Sequence, residues 1–168
     1  PTDPAGLGAE EYDGEGLACR RNVLIEAGTL RDFLLNSTTA NRLGARSNAC
    51  AVRGARSLPG TGAVALAMKP GEGTAEQLRA PLGQALLVNS FSGLHSGVNP
   101  TSGDFSVGAD GLMIRNGEVA EPVREITLAS TIQRLMGGVM AVGVELERLP
   151  SGASMPWVVI DDVSVGGS

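Results

Sequence analysis

The sequence predicts an α+β, mainly β fold, built of multi-stranded, largely antiparallel sheets of sandwich or barrel type with about three short helices. Three observations carry that prediction. Glycine supplies 24 of 168 residues, about twice the usual share of roughly 7%, with no collagen period, which suits tight turns and bulges needing φ > 0. Short apolar runs rich in β-branched residues recur between turn signals. Asn116-Gly117 stands between two such runs, the dipeptide that a two-residue type I′ hairpin requires. The length fits one domain over 1–168 with a single core, since a chain of this size buries roughly 70% of its unfolded surface.

From Pro1 to Gly16 the chain is Pro, Gly, Asp and Glu, an acidic leading loop. Leu17 to Glu26 and Thr29 to Leu35 read as a strand pair split by Ala27-Gly28. Ser37 to Gly44 reads as a brief helix with Ser37 as N-cap and Gly44 ending it. Residues 45–62 are irregular and basic, carrying Arg46, Arg53 and Arg56, either a solvated loop or an anion contact. Ala63 to Met68 has the composition of a buried strand, closed by Lys69-Pro70-Gly71.

Thr74-Ala75-Glu76-Gln77 fits a capping box, and Pro81 keeps its helix short. Leu78 and Leu82 would face the core. Gln84 to Ser90 is extended and apolar. Phe91 to Asp104 is a loop dense in Gly, Ser, Asn and Pro, long enough to be functional or tied down by side chains. Phe105 to Gly111 leads into the Asn-Gly hairpin, and Val123 to Leu128 forms another strand. Ser130-Thr131-Ile132-Gln133 is a second capping box, its helix presenting Ile132, Leu135 and Met136 on one face and stopping at Gly137-Gly138. Val139 to Leu146 and Trp157 to Val165 are two further strands, for a total of roughly eight or nine.

Composition excludes several function classes. With 13 basic and 18 acidic residues the formal charge is −5, a poor match to a phosphate backbone. Aromatics at 3% supply no stacking platform for single strands. Direct nucleic-acid binding is therefore not expected. The longest apolar run, Leu135 to Val144, is half of the roughly 20 residues a membrane span needs, and no signal peptide opens the chain. A soluble, cytoplasmic protein is expected, and the start at Pro1 without methionine reads as a piece of something longer.

Residues that could carry chemistry are few. Cys19 and Cys50 are too far apart for a compact zinc pair and read as reduced, buried thiols. His95 is the single histidine; Ser90, Ser92, Ser96 and Asp104 are near it in sequence, but no nucleophile elbow is present. Asp161 and Asp162 are adjacent and would point to opposite faces of a strand, not clamp an ion. Gly60 to Ala65 matches a loose dinucleotide fingerprint, yet it follows Leu58-Pro59 and enters a β-branched run instead of a helix. No catalytic residue and no metal ligand is assigned.

The remaining motifs form an ordered set. Gly97-Val98-Asn99-Pro100 and Gly103-Asp104-Phe105-Ser106 are followed by Asn116-Gly117-Glu118, then Pro122-Val123-Arg124-Glu125-Ile126-Thr127. Together with Asp13-Gly14-Glu15-Gly16, Val23-Leu24-Ile25 and the closing Ile160-Asp161-Asp162-Val163 to Gly167, this order resembles the C-terminal domain of the TldD/PmbA family. The resemblance covers nearly all of this chain but only the C-terminal part of a typical member. It implies a cytosolic proteolytic assembly, in which a TldD-type subunit holds zinc through a helix motif in its N-terminal half aided by a late cysteine, and a PmbA (TldE)-type subunit pairs with it without metal.

None of those zinc ligands maps onto these residues, since no cysteine follows Cys50. The wording of the motifs is closer to the PmbA side. The resemblance therefore implies a metal-free subunit, with zinc only in a TldD-type partner, and a dimer with that partner or with itself. Its substrate would be unfolded or modified peptide. His95, Asn99, Asp104 and Ser106 are the candidate substrate-binding residues, on a path where an extended peptide could pair with a sheet edge. Against that, Asn99, Asp104 and Asn116 can each stabilise a turn. The alternative function is a non-enzymatic assembly or dimerisation domain, marked by an exposed apolar patch.

Overall fold

Local turn chemistry sets the first elements. Ala27 and Gly28 adopt φ of 48° and 77°, so β1 (Ile25–Glu26) and β2 (Thr29–Leu30) form a tight antiparallel hairpin. The computed structural model describes residues 9–167, and the part of the predicted leading loop before Ala9 lies outside them. The predicted strands of this hairpin are far shorter than expected, two residues each.

Helix α1 spans Ser37–Arg42. Its cap is Asn36, one residue before the predicted Ser37. The Asn36 side chain accepts from the Thr39 backbone N–H (2.8 Å) while Thr39 Oγ1 accepts from the Asn36 N–H (3.0 Å). Ser37 instead donates its Oγ–H and N–H to Glu15. Strands β3 (Ala51–Val52) and β4 (Gly60–Thr61) pair within the segment read as irregular. Ala63 to Met68 is not a buried strand; it makes one bridge, Ala67 to Ser154, and Leu66 and Ala67 are exposed.

Helix α2 (Ala75–Arg79) carries the predicted capping box: Gln77 N–H donates to Thr74 Oγ1 and Thr74 N–H donates to Gln77 Oε1. It ends before Pro81, as the missing donor requires. Leu78 is buried and Leu82 half-buried. The antiparallel sheet then runs through β5 (Gln84–Ser92), β6 (Asp104–Arg115) and β7 (Glu118–Thr131), with α3 (Leu94–Gly97) between β5 and β6. Asn116 and Gly117 take φ of 51° and 81°, the predicted type I′ turn. After α4 (Ile132–Gly137) come β8 (Val139–Arg148), β9 (Ser154–Ile160) and β10 (Ser164–Gly166).

Helix α4 is capped by Thr131, whose Oγ1 accepts from Arg134 N–H, and not by the predicted Ser130. Ser130 pairs with Phe105 one position earlier in β7; the strand runs on through Thr131, and since α4 begins at Ile132 it is this last, extended residue whose hydroxyl meets the helical N–H. The predicted apolar face of α4 is only half covered: Leu135 is half-buried while Ile132 and Met136 are exposed. The predicted strand from Trp157 to Val165 is broken into β9 and β10, because Asp162 adopts φ of 61°. Among the described residues there are thus ten strands and four helices, mainly β as the sequence indicates.

The four-stranded sheet has the order β10-β7-β6-β5; β1-β2, β3-β4 and β8-β9 are separate two-stranded sheets. The sheet is open at β10 and β5, so the predicted architecture resolves to open sheets and not a closed barrel. The chain divides into two compact units, one of residues 9–69 and 147–155, the other of 70–146 and 156–167. Buried apolar residues likewise fall into two sets where one core was expected. In the second unit the cross-strand pairs Val107–Leu128 and Ala109–Ile126 are buried, with Leu86, Val88, Val98, Phe105, Val123 and Val163 packed on them.

In this sheet β6 is flanked by an extra residue on each side at one level. Asn89 interrupts the β5 register between Val88 and Ser90, and Arg124-Glu125 oppose the single residue Asp110 from β7. Glu125 is left-handed, φ 55°, a costly conformation for a side chain of this kind. Asp110 Oδ1 accepts from its backbone N–H at 2.9 Å, holding the bulge in place. Gly111 lies so close to the Leu87 carbonyl that a Cβ there would collide with it.

The first unit is held differently. Its buried residues include Leu35, Ala40, Ala49, Cys50 and Ala51 beside three polar ones, Asp13, Asn36 and Asn48. Asp13 is 6% exposed. Its Oδ1 accepts from Glu15 and Leu17 N–H (3.0 and 2.9 Å) and its Oδ2 from Ala51 N–H (3.1 Å). Burial pushes its pKa up, but the backbone N–H groups of Leu17, Ala51, Glu15 and Gly16 outweigh it, and the net shift is downward from 3.8. Asn48 accepts from Leu35 N–H (2.8 Å) and donates to the Phe33 carbonyl (2.6 Å) and to Asp32 (3.2 Å).

Asp13→Ala orphans three backbone donors and should destabilise the protein by on the order of 3 kcal/mol, each buried unpaired group costing roughly 1–3 kcal/mol; urea denaturation reads this. Because the folded pKa is depressed, the unfolded chain binds more protons below pH 3.8. The Asp13 contribution is therefore present above that pH and lost as pH falls through the lower folded value. Wild type should lose stability there more steeply than Asp13→Ala. Glu125→Gly, by relieving the left-handed strain, should raise stability by roughly 1 kcal/mol with an unchanged denaturant slope.

Candidate functional site

The segment linking β5 to β6 carries two of the four candidate residues predicted from sequence, His95 and Asn99, and the start of β6 carries the other two, Asp104 and Ser106. Gly93 takes a left-handed φ of 74° to start α3, and Gly97 lies against the Ser106 carbonyl with no room for a Cβ. The turn that follows is tightly bonded. Asn99 N–H donates to the Asp104 carbonyl and Gly103 N–H to the Asn99 carbonyl, both at 2.8 Å. Asn99 Oδ1 accepts from Thr101 and Ser102 N–H (2.9 and 3.3 Å). Ser102 Oγ donates to Asp104 Oδ2 at 2.6 Å.

Gln133, predicted to complete a capping box, instead donates Nε2–H to the Ser102 carbonyl (3.3 Å), and Ile132 N–H donates to the Gly103 carbonyl (2.8 Å). The long predicted loop is thus partly strand, partly helix, and otherwise tied down by side chains and by α4.

Asp104 and Ser106, two apart on β6, share the face of the sheet opposite the core. Both are exposed, and their neighbours across the strands are small: Ser106 faces Ala129, which faces Ser164, and Gly108 faces Thr127 and Ser92. Asn99 belongs to the turn below them. His95 is exposed on α3 and makes no hydrogen bond to Ser90, Ser92, Ser96 or Asp104; Ser96 Oγ instead reaches back to the Gly93 carbonyl (3.4 Å). No nucleophile–base–carboxylate relay is formed by these residues.

Among the described residues no three His, Cys, Asp or Glu side chains converge on a point that could hold an ion. Cys50 is buried, its sulfur accepting from Asn22 Nδ2–H (3.3 Å). Burial pushes the Cys19 thiol up, and the carboxylates of Asp13 and Glu10 add to the shift. The donor set does not fit a zinc ion. Asp161 Oδ1 accepts from Asp162 N–H (2.8 Å); with Arg134, Gly138, Val139 and Met140 these two residues line an open concavity of about 430 Å³. Arg46, Arg53 and Arg56 have no ion-pair partner among the described residues.

Sequence reading missed the most asymmetric feature of the sheet, its two flanks. Along β7 the residues outside the β10 pairing include Glu118, Glu121, Pro122, Arg124 and Glu125. Arg115 and Glu121 pair across the β6–β7 hairpin, and that bond lowers the Glu121 pKa to about 2. Charge and proline are the devices by which an edge is protected from stray pairing. Strand β5 has neither: Gln-Ala-Leu-Leu-Val-Asn-Ser-Phe-Ser runs nine residues without a charge. No backbone other than β6 hydrogen-bonds it among the described residues. Phe91 and, on α3, Leu94 are more than half exposed beside it. The legible signal was the missing charge.

Residues 1–167 match the PmbA/TldA metallopeptidase C-terminal domain, and the chain belongs to that family. It is 32% identical over 163 residues to Metalloprotease PmbA of Escherichia coli O157:H7, covering 96% of this chain and 33% of that protein. It is 29% identical over 163 residues to the Metalloprotease PmbA homolog of Haemophilus influenzae, with coverage of 96% and 34%. TldE from Thermococcus kodakarensis superposes with a TM-score of 0.90 at 27% identity, covering 99% of this chain and 38% of that one. The chain spans about a third of the length of the curated relatives it matches. None of its described helices is long and apolar enough to cross a membrane.

Asn99→Ala removes a side-chain acceptor of two backbone N–H groups and should cost about 1 kcal/mol, whereas Ser106→Ala, which breaks no hydrogen bond, should stay within about 0.5 kcal/mol. Thermal unfolding of the two variants against wild type measures the difference.

Proposed function

We propose that this domain serves a peptide-processing metallopeptidase as its metal-free, substrate-gripping part, with zinc and the cleavage chemistry supplied by a TldD-type partner subunit. The observation that supports it is the contrast between the flanks of one sheet, β7 guarded by charge and proline and β5 bare. An uncharged edge offers main-chain donors and acceptors to any extended chain, so affinity comes without sequence preference. That suits unfolded peptide as substrate. Phe91 and Leu94 add an apolar shelf at one end of the edge, and Asp104 and Ser106 present polar groups on the outer face of the neighbouring strand.

A second reading, an assembly domain with no substrate contact, draws on a different feature. Met140, Val144 and Leu146 alternate on β8 and are all exposed, Met140 at 68%. Such a row marks an interface.

Co-purification of the full-length parent with a TldD-type partner, followed by assay of an unfolded peptide with and without chelator, tests the first reading. Chelator-sensitive cleavage only by the pair is expected. Hydrolysis by the parent alone would overturn the metal-free assignment. Within the active pair, Asn89→Lys with Phe91→Lys, which guards β5 as β7 is guarded, should raise KM about tenfold with kcat little changed, the pattern of lost ground-state binding. Unchanged KM favours the assembly reading.

A further inference from the structure

Asn116 sits at the exposed tip of the β6–β7 hairpin, followed by Gly117. An asparagine followed by glycine is chemically labile, because no side chain shields the next backbone nitrogen. That nitrogen attacks the side-chain Cγ of the asparagine. In the folded protein the Asn116 side chain makes no hydrogen bond to any described residue, so the electrophile is free. The nucleophile is not. Gly117 N–H donates to the Leu82 carbonyl at 2.8 Å, Asn116 N–H to the Gly83 carbonyl at 2.7 Å, and Arg79 Nε–H to the Gly117 carbonyl at 2.9 Å. Gly117 is buried against the turn after α2; a Cβ on it would come within 2.7 Å of the Ala80 carbonyl.

We propose that Asn116 is a latent deamidation site, kept closed by the clamp that Arg79, Leu82 and Gly83 place on the hairpin. When the hairpin lifts, the Gly117 nitrogen loses its proton and bonds to Asn116 Cγ. The Cγ–Nδ2 bond breaks and ammonia leaves, giving a succinimide. Water opens either carbonyl of that ring to aspartate or isoaspartate. No oxidation or reduction occurs, and water is the one co-reactant. The isoaspartate product lengthens the main chain of a two-residue turn by one methylene, which this turn type cannot absorb without loss of register. Conversion is therefore a covalent record of local opening.

The test uses the full chain in mildly alkaline buffer, with peptide mapping by mass spectrometry at Asn116, and compares it with a free peptide of residues 112–121. Conversion in the folded chain is expected on the order of a hundredfold slower than in the peptide, since it proceeds only from the opened hairpin. Arg79→Met keeps the aliphatic stem and removes the charged donor; it should speed conversion about tenfold. Amide exchange at Gly117 should quicken in the same variant while Val107 and Leu128 stay protected. Equal rates in folded chain and peptide would overturn the proposal. So would an Arg79→Met rate equal to wild type. A matching acceleration in Asp13→Ala, which weakens the other unit, would show that conversion follows global unfolding and not release of the clamp, and would overturn it as well.

Discussion

Three buried polar side chains hold the first unit of this protein in shape. Asp13, Asn36 and Asn48 do there what a ladder or a helix does elsewhere: they saturate the backbone groups of segments that follow no regular path. A loop can be buried only if its N–H and C=O groups find partners. Asp13 satisfies three N–H groups drawn from residues up to 38 positions away, so its carboxylate, with the Gly14 N–H bond to the Ala51 carbonyl, anchors the leading segment to β3. Asn36 starts α1 and also donates to the Pro59 carbonyl (3.2 Å). Asn48 fixes the approach to β3. The apolar residues buried with them, Leu35 apart, are small: Ala40, Ala49, Cys50 and Ala51 bury little area each.

The second unit follows the opposite rule. Its stability comes from facing pairs on one side of an antiparallel sheet, and its outer side is lined by small hydroxyl and glycine positions. Where the backbone must come close, glycine stands, as at Gly97, where the end of α3 meets β6, and Gly111 beside β5. The two edges of that sheet differ in kind. One carries the charges and the proline that keep a lone protein from pairing with strangers, and the other lacks them. A domain that spans only part of its relatives' length can leave such an edge for another polypeptide.

What the sequence made legible follows the range of the interactions involved. The Asn116-Gly117 turn, the Thr74–Gln77 box and the stop at Pro81 depend on residues within a few positions, and each stands where it was predicted. The family motifs were legible for the same reason, as compact runs in fixed order. Boundaries set by distant partners were not. Ser37 and Ser130 are good cap residues by type, but Glu15 engages the first and the second stands one residue too early, since β7 runs through Thr131 before α4 begins. Ala63 to Met68 has strand composition yet finds no ladder to join. Among the candidate residues, Asn99 and Asp104 drew notice because loops rich in Asn, Asp and Gly announce themselves, and their side chains are engaged within the turn. The bare β5 edge escaped notice because it is an absence, visible only when both edges of one sheet are seen.

The paired bulges bear on how such a sequence can diverge. Strict alternation would put Val88 and Phe91, or Val123 and Ile126, on opposite faces, since they are three residues apart. They share a face because Asn89 and the Arg124-Glu125 step each add a residue without advancing the ladder. Loss of that one residue leaves every inward side chain pointing inward, whereas loss of any neighbouring residue inverts the rest of the strand. Single-codon insertions and deletions in this lineage therefore have three safe addresses, two level with Asp110 and one where Ala120 and Glu121 oppose Met113, and the length of the gene's sheet-coding stretch can drift there without a change of frame in the protein's interior.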